Sequence, residues 1–93
     1  MRKVLVVDDE FLVRVGIKSF LNWEENGYTI IAEAADGKQA LEIMERELPD
    51  VVLTDLKMDG MDGFELIQVS RKRFPSVQFV VLSSFEDGEN VKR

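Results

Sequence analysis

The stretch VVLTDLKMDGMDGFEL, residues 51–66, runs an apolar segment straight into three aspartates and two glycines. Val51, Val52 and Leu53 favour a buried position, whereas Asp55, directly behind them, favours water. A carboxylate at the tip of a buried strand either caps the next turn or takes part in chemistry. The rest of the chain decides between the two.

Two kinds of apolar pattern alternate along it. KVLVV (residues 3–7), YTIIAEA (28–34), DVVLT (50–54) and VQFVVLS (77–83) are short and rich in β-branched residues, as strands are. The first, third and fourth are almost continuously apolar, the mark of parallel strands covered on both faces; the second alternates more, which suits a sheet edge. Between them lie helical patterns. Val13, Ile17, Phe20 and Leu21 mark one face of a first helix that should stop between Asn22 and Gly27. Ala40, Leu41, Met44 and Leu48 mark a second, opened by Asp36 and Gly37 and closed before Pro49. Phe64, Ile67 and Phe74 mark a third, closed before Pro75. The order β-α-β-α-β-α-β predicts an α/β fold with a parallel sheet and right-handed crossovers. The last segment, SFEDGENVKR, has the character of a loop followed by the first turns of another helix.

Composition narrows the function classes. A chain of 93 residues fits one domain, and 45% hydrophobic with 32% charged residues is the balance of a soluble globular protein. No apolar run approaches the roughly 20 residues of a membrane span, and acidic residues end the N-terminal apolar run too early for a signal peptide. The absence of cysteine removes a disulfide framework and makes the cytoplasm the natural compartment. A net charge of −6 opposes binding of this segment to nucleic acid. The basic run RKRF, residues 71–74, reads as the solvated last turn of a helix, where the dipole favours positive charge.

Polar groups gather at three predicted strand ends: Asp8, Asp9 and Glu10 after the first, Asp55 after the third, and Ser83 and Ser84 after the fourth. In open α/β sheets ligands sit beyond the carboxyl ends of the strands, where strand order reverses. Neighbouring carboxylates repel unless protonated or neutralised, and their oxygens suit Mg²⁺. Helix capping accounts for one of the paired aspartates better than for two, and Ser83 alone is an ordinary turn hydroxyl. The three ends together favour a site. Two other readings use the same residues. A calcium loop starting at Asp55 fails because Lys57 and Leu66 stand where acidic ligands are needed. A phosphatase of the haloacid dehalogenase type has an aspartate two positions after its nucleophile, and here Lys57 stands there.

KVLVVDDE, LPDVVLTDLKMDGMDGFEL and VVLSS, with their spacing, resemble the receiver domains of two-component response regulators over the whole chain. FLNWEENGYTIIAEAADGKQAL further resembles receivers joined to AraC-type DNA-binding domains. The resemblance implies a flavodoxin-like (CheY-like), doubly wound sheet with strands ordered 2-1-3-4. It implies that Asp55 accepts a phosphoryl group from a sensor histidine kinase. Asp9, Asp55 and the backbone carbonyl of Lys57 would hold Mg²⁺, with Asp8 acting through water. Ser83 would contact the phosphoryl group, and Ser84 would follow at a small-residue position. DNA would be reached through a separate C-terminal domain, and the chain would be a switch rather than an enzyme. A phosphate-free interaction module and the phosphatase are the rival classes.

The chain departs from the family pattern in two places. Asp59 stands where proline is usual. The family's fifth strand, its catalytic lysine and its last helix have no counterpart, so residues 1–93 are expected to be a receiver truncated after the fourth strand and the start of the fourth helix. An uncovered fourth strand, with neither lysine nor proline inside it, is then expected to pair or exchange with a second copy as a homodimer, or to lower stability.

Overall fold

In the computed structural model, residues 1–58 and 60–82 are described. Ser83, Ser84 and Asp59 lie outside them. The elements are β1 (Arg2–Val7), α1 (Phe11–Phe20), a 3₁₀ turn (Glu24–Asn26), β2 (Tyr28–Ala34), α2 (Gly37–Arg46), β3 (Val51–Asp55), α3 (Gly63–Arg73) and β4 (Gln78–Leu82). The strands form one sheet in the order β2-β1-β3-β4, and every pair is parallel. The predicted order and the predicted edge position of the second strand both hold.

Alternation along the central strands builds two cores. Leu5, Val7 and Val52 face one side and pack with Ala40, Leu41 and Met44 of α2 and Leu66 of α3. Val4, Val6, Val51 and Leu53 face the other side, with Ile17 and Trp23 against them. Helices therefore lie on both faces, as parallel β-α-β crossovers require. Asp36 starts α2 by accepting the Gln39 N–H at 2.8 Å, and Asp62 starts α3 by accepting the Glu65 N–H at 3.0 Å. The last turn of α3 carries Arg71, Lys72 and Arg73, all exposed, in agreement with the dipole argument.

Four expectations from the apolar patterns need correction. The face of α1 marked by Val13, Ile17, Phe20 and Leu21 does line one apolar cleft, with Trp23, Leu53 and Leu82, but it is not buried. Only Ile17 is partly covered, and Phe20 is 82% exposed, because nothing among the described residues lies over that cleft. In α2, Leu48 lies past the helix end and is exposed. In α3 the fully buried residues are Gly63, Leu66 and Ser70; of the predicted face, Phe74 at the C-cap packs partly buried against the core and Ile67 is partly covered, but Phe64 is 61% exposed. At its first turn the helix lies so close to the end of β3 that only glycine fits at residue 63. Finally, β4 is not covered on both faces: Val80 and Val81 are 47% and 41% exposed. It is an edge strand of the described sheet.

Candidate functional site

Strand order reverses between β1 and β3, since β1 is followed by β2 on one side and neighbours β3 on the other. The crevice beyond that pair is where such a sheet binds ligands. Val7 lies opposite Thr54 in the β1–β3 ladder, and the next residues along the two strands are Asp8 and Asp55. With Asp9 they form a cluster in which each residue offers one carboxylate oxygen, all within 4.8 Å of one another. The structure thus brings together three of the acids singled out from the sequence.

Asp8 is fixed on every side. It is only 4% exposed, its N–H donates to the Ala34 carbonyl at 3.0 Å, and its Oδ1 accepts the Glu10 N–H at 2.9 Å. Burial pushes its carboxyl above the ordinary value of 3.8, and the negative charges of Asp55, Asp9 and Glu10 push the same way, against the opposing hydrogen bond from Glu10. The capping explanation covers part of this. Asp8 binds an amide just before α1, but Glu10, the residue at the helix N-cap, makes no side-chain cap. Asp9 is exposed beside them and lines the cleft formed with Leu56, Lys57, Met58, Asp62 and Phe64.

The loop after β3 is held at both ends. The Lys57 N–H donates to Asp55 Oδ1 at 3.3 Å, and Thr54 Oγ1 donates to the Asp55 carbonyl at 2.9 Å. Gly63 N–H reaches the Leu56 carbonyl at 3.1 Å, and Gly37 N–H reaches the Met61 carbonyl at 3.0 Å. Both glycines are close approaches. A Cβ on Gly37 would meet the Met61 carbonyl oxygen at 2.8 Å, so the start of α2 rests directly on this loop. Asp62, which caps α3 and lines the cleft, was not singled out in the sequence, although the pattern Asp62-x-x-Glu65 is a helix-start signal.

The donor set consists of hard oxygens around a partly desolvated, mutually repelling group, which fits Mg²⁺. Among the described residues, no helix is long and apolar enough to cross a membrane.

Comparison with known proteins agrees with this geometry. The family model described as the response regulator receiver domain matches residues 4–93. The uncharacterized transcriptional regulatory protein YesN of Bacillus subtilis (strain 168) is 42% identical over 92 residues. That match covers 99% of this chain but only 25% of the relative, so the chain spans about a quarter of that protein's length. The REC domain of AraT, a response regulator from Geobacillus stearothermophilus, superposes with a TM-score of 0.87 at 35% identity, covering 98% of this chain and 70% of that one. A two component transcriptional regulator AraC from Clostridium phytofermentans ISDg gives a TM-score of 0.85 at 36% identity, covering 99% and 71%. These relatives are response regulators and transcriptional regulators, and the phosphatase reading is not favoured. A four-stranded parallel sheet of order 2-1-3-4 with an acidic cluster at its switch point is thus joined to a family match over almost the whole sequence: the chain belongs to the response regulator receiver domain family.

Proposed function

We propose that the carboxylate of Asp55 accepts a phosphoryl group from a sensor histidine kinase, with Mg²⁺ as cofactor. The observation that carries this reading is the convergence of Asp8, Asp9 and Asp55 at the β1–β3 switch point, with oxygens within 4.8 Å. Asp9 and Asp55 would hold the ion, together with the main-chain carbonyl of Lys57, and Asp8 would act through a water. When bound, the ion supplies charge neutralisation for the phosphoryl oxygens. Asp55 contributes the attacking oxygen and is held at the end of a buried strand. The leaving group is the kinase imidazole, whose bond to phosphorus breaks as the acyl phosphate forms. Ser83 would contact the transferred group, with Ser84 beside it.

This is a switch and not a turnover enzyme. Lys57 occupies the position where a phosphatase of the dehalogenase type needs its acid/base. The transcriptional output would be carried by a DNA-binding region in a longer protein located in the cytoplasm, a reading supported by the greater length of the YesN relative. Self-association belongs to the same reading. Val80 and Val81 leave an apolar edge on β4, and a second copy could pair with it.

In a longer protein that carries the family's lysine, labelling by a small phosphodonor should require Mg²⁺ and disappear in Asp55→Asn. Sustained turnover of a phosphate monoester would instead favour the hydrolase, and a failure to label under any condition would favour the phosphate-free module.

A further inference from the structure

We propose that Arg14 is a positioning residue for the acidic pocket, holding the main chain at Asp8 so that Asp8 and Asp9 present their carboxylates toward Asp55. The inference rests on the reading of that pocket as a Mg²⁺ site.

Apolar burial does not fix the start of α1. None of its residues is buried, Phe11 and Leu12 are exposed, and Glu10 provides no side-chain cap. Arg14 and Ile17 are its only partly covered residues, and the Arg14 side chain is 14% exposed. The Arg14 guanidinium spans two elements. Its Nη1 donates to the Asp8 carbonyl at 2.5 Å, and its Nε donates to Glu33 Oε1 on β2 at 2.9 Å. The Phe11 ring lies under the guanidinium, 5.6 Å from its carbon. With its N–H bound to Ala34 and its carbonyl bound to Arg14, the Asp8 peptide is tied to β2 on one side and to α1 on the other. The direction in which the chain leaves toward Asp9 is thereby set.

The charge arrangement fits this role. A bare guanidinium next to a cation site would oppose the cation, but Glu33 pairs with Arg14 and also binds Lys18. Arg14 thus contributes geometry with its charge compensated. Lysine is no substitute, because a single ammonium lacks the planar fork that reaches two acceptors at once. The bland alternative is an ion pair that only anchors α1. The sign of the effect on metal binding separates the two. Removing a positive charge near carboxylates should tighten cation binding on Coulomb grounds. Loss of positioning should weaken it.

The test is titration of the folded chain with Mg²⁺, followed through the amide signals of Asp9 and Glu10, with a thermal melt of each variant. Arg14→Gln should weaken binding about tenfold, the lower end of the effect of groups that orient metal ligands, and Arg14→Lys should not restore it. Lys18→Gln, which removes the same charge from Glu33 without touching Asp8, should bind at least as tightly as the parent. Should the Arg14 variants unfold, the parent itself decides. The Arg14 side-chain N–H signals should be protected from exchange and should shift on adding Mg²⁺, unlike those of exposed Arg46. Arg14 signals that behave like those of Arg46 would overturn the clamp. So would Arg14 variants that bind as tightly as a parent that does bind. A parent that takes no Mg²⁺ would remove the metal site and the clamp with it.

Discussion

Gly63 stands so close to Asp55 that a Cβ on it would lie 2.3 Å from the Asp55 main-chain oxygen, with Leu56 Cα at 2.8 Å. Neither neighbour is the tip of a flexible side chain, so the backbone itself must move to admit a methyl group. Gly63→Ala should cost about 1–3 kcal/mol of stability, the usual range for overpacking. Because the atoms displaced belong to Asp55, the proposed acceptor, its labelling by a phosphodonor should also slow. Thermal melts and labelling time courses of the same variant check both. Unchanged labelling in a destabilised variant would confine the contact to packing.

Asp8 gives a pH dependence whose sign is fixed. Its folded-state carboxyl is raised, first by burial and then by Asp55, Asp9 and Glu10, so its ionised form costs more in the folded chain than in the unfolded one. That penalty is fully present at neutral pH. It fades as pH falls through the raised value and is gone below the ordinary 3.8. Asp8→Asn keeps an oxygen for the Glu10 N–H and loses the charge. It should raise the melting temperature by a few degrees at pH 7 in metal-free buffer, with a gain that shrinks in acid, and it should weaken Mg²⁺ binding. A variant less stable than the parent at pH 7 would contradict this.

Ser70 is fully buried, and its Oγ has no hydrogen-bond partner among the described residues. A buried hydroxyl without a partner costs about 1–3 kcal/mol, and alanine is also the better helix former. Ser70→Ala should therefore stabilise the chain by roughly 1 kcal/mol, or about 4–8 °C in the melting temperature of a domain this small. Differential scanning calorimetry measures it directly. Destabilisation would mean that the hydroxyl has a partner after all.

β4 pairs with β3 on one side, and its Val80 and Val81 are exposed. Concentration-dependent sedimentation is expected, and Val80→Lys, which places a charge on the edge, should reduce it. A parent chain that sediments as a monomer at every concentration would exclude association through this strand.

The sheet was the most legible part of the molecule, for a physical reason. β1 and β3 are covered on both faces, so almost every residue in them must be apolar, whereas the order 2-1-3-4 came from the family resemblance, since β4 carries the same apolar pattern at the edge. The acids were legible too, because Asp8, Asp9 and Asp55 interrupt those runs at the ends where ligands bind. Helix faces were less so. The buried face of α3 includes Gly63 and Ser70 beside Leu66, and those two carry no apolar signal, while the apolar residues of α1 lie over an open cleft. The Arg14–Glu33 pair joins residues 19 positions apart, and no local pattern announces it. Asp62 had a signal in its helix-start spacing, but the stronger pattern of Asp55 stood beside it.

The account stands most directly on where the phosphoryl group goes. A longer protein that carries the family's lysine is to be treated with acetyl phosphate and Mg²⁺, and the modified peptide identified by mass mapping before and after hydroxylamine, which cleaves acyl phosphates. The account predicts one hydroxylamine-sensitive phosphoryl group on the peptide containing Asp55, lost without Mg²⁺ and absent from Asp55→Asn. A phosphoryl group on any other residue, or undiminished labelling of Asp55→Asn, would contradict it.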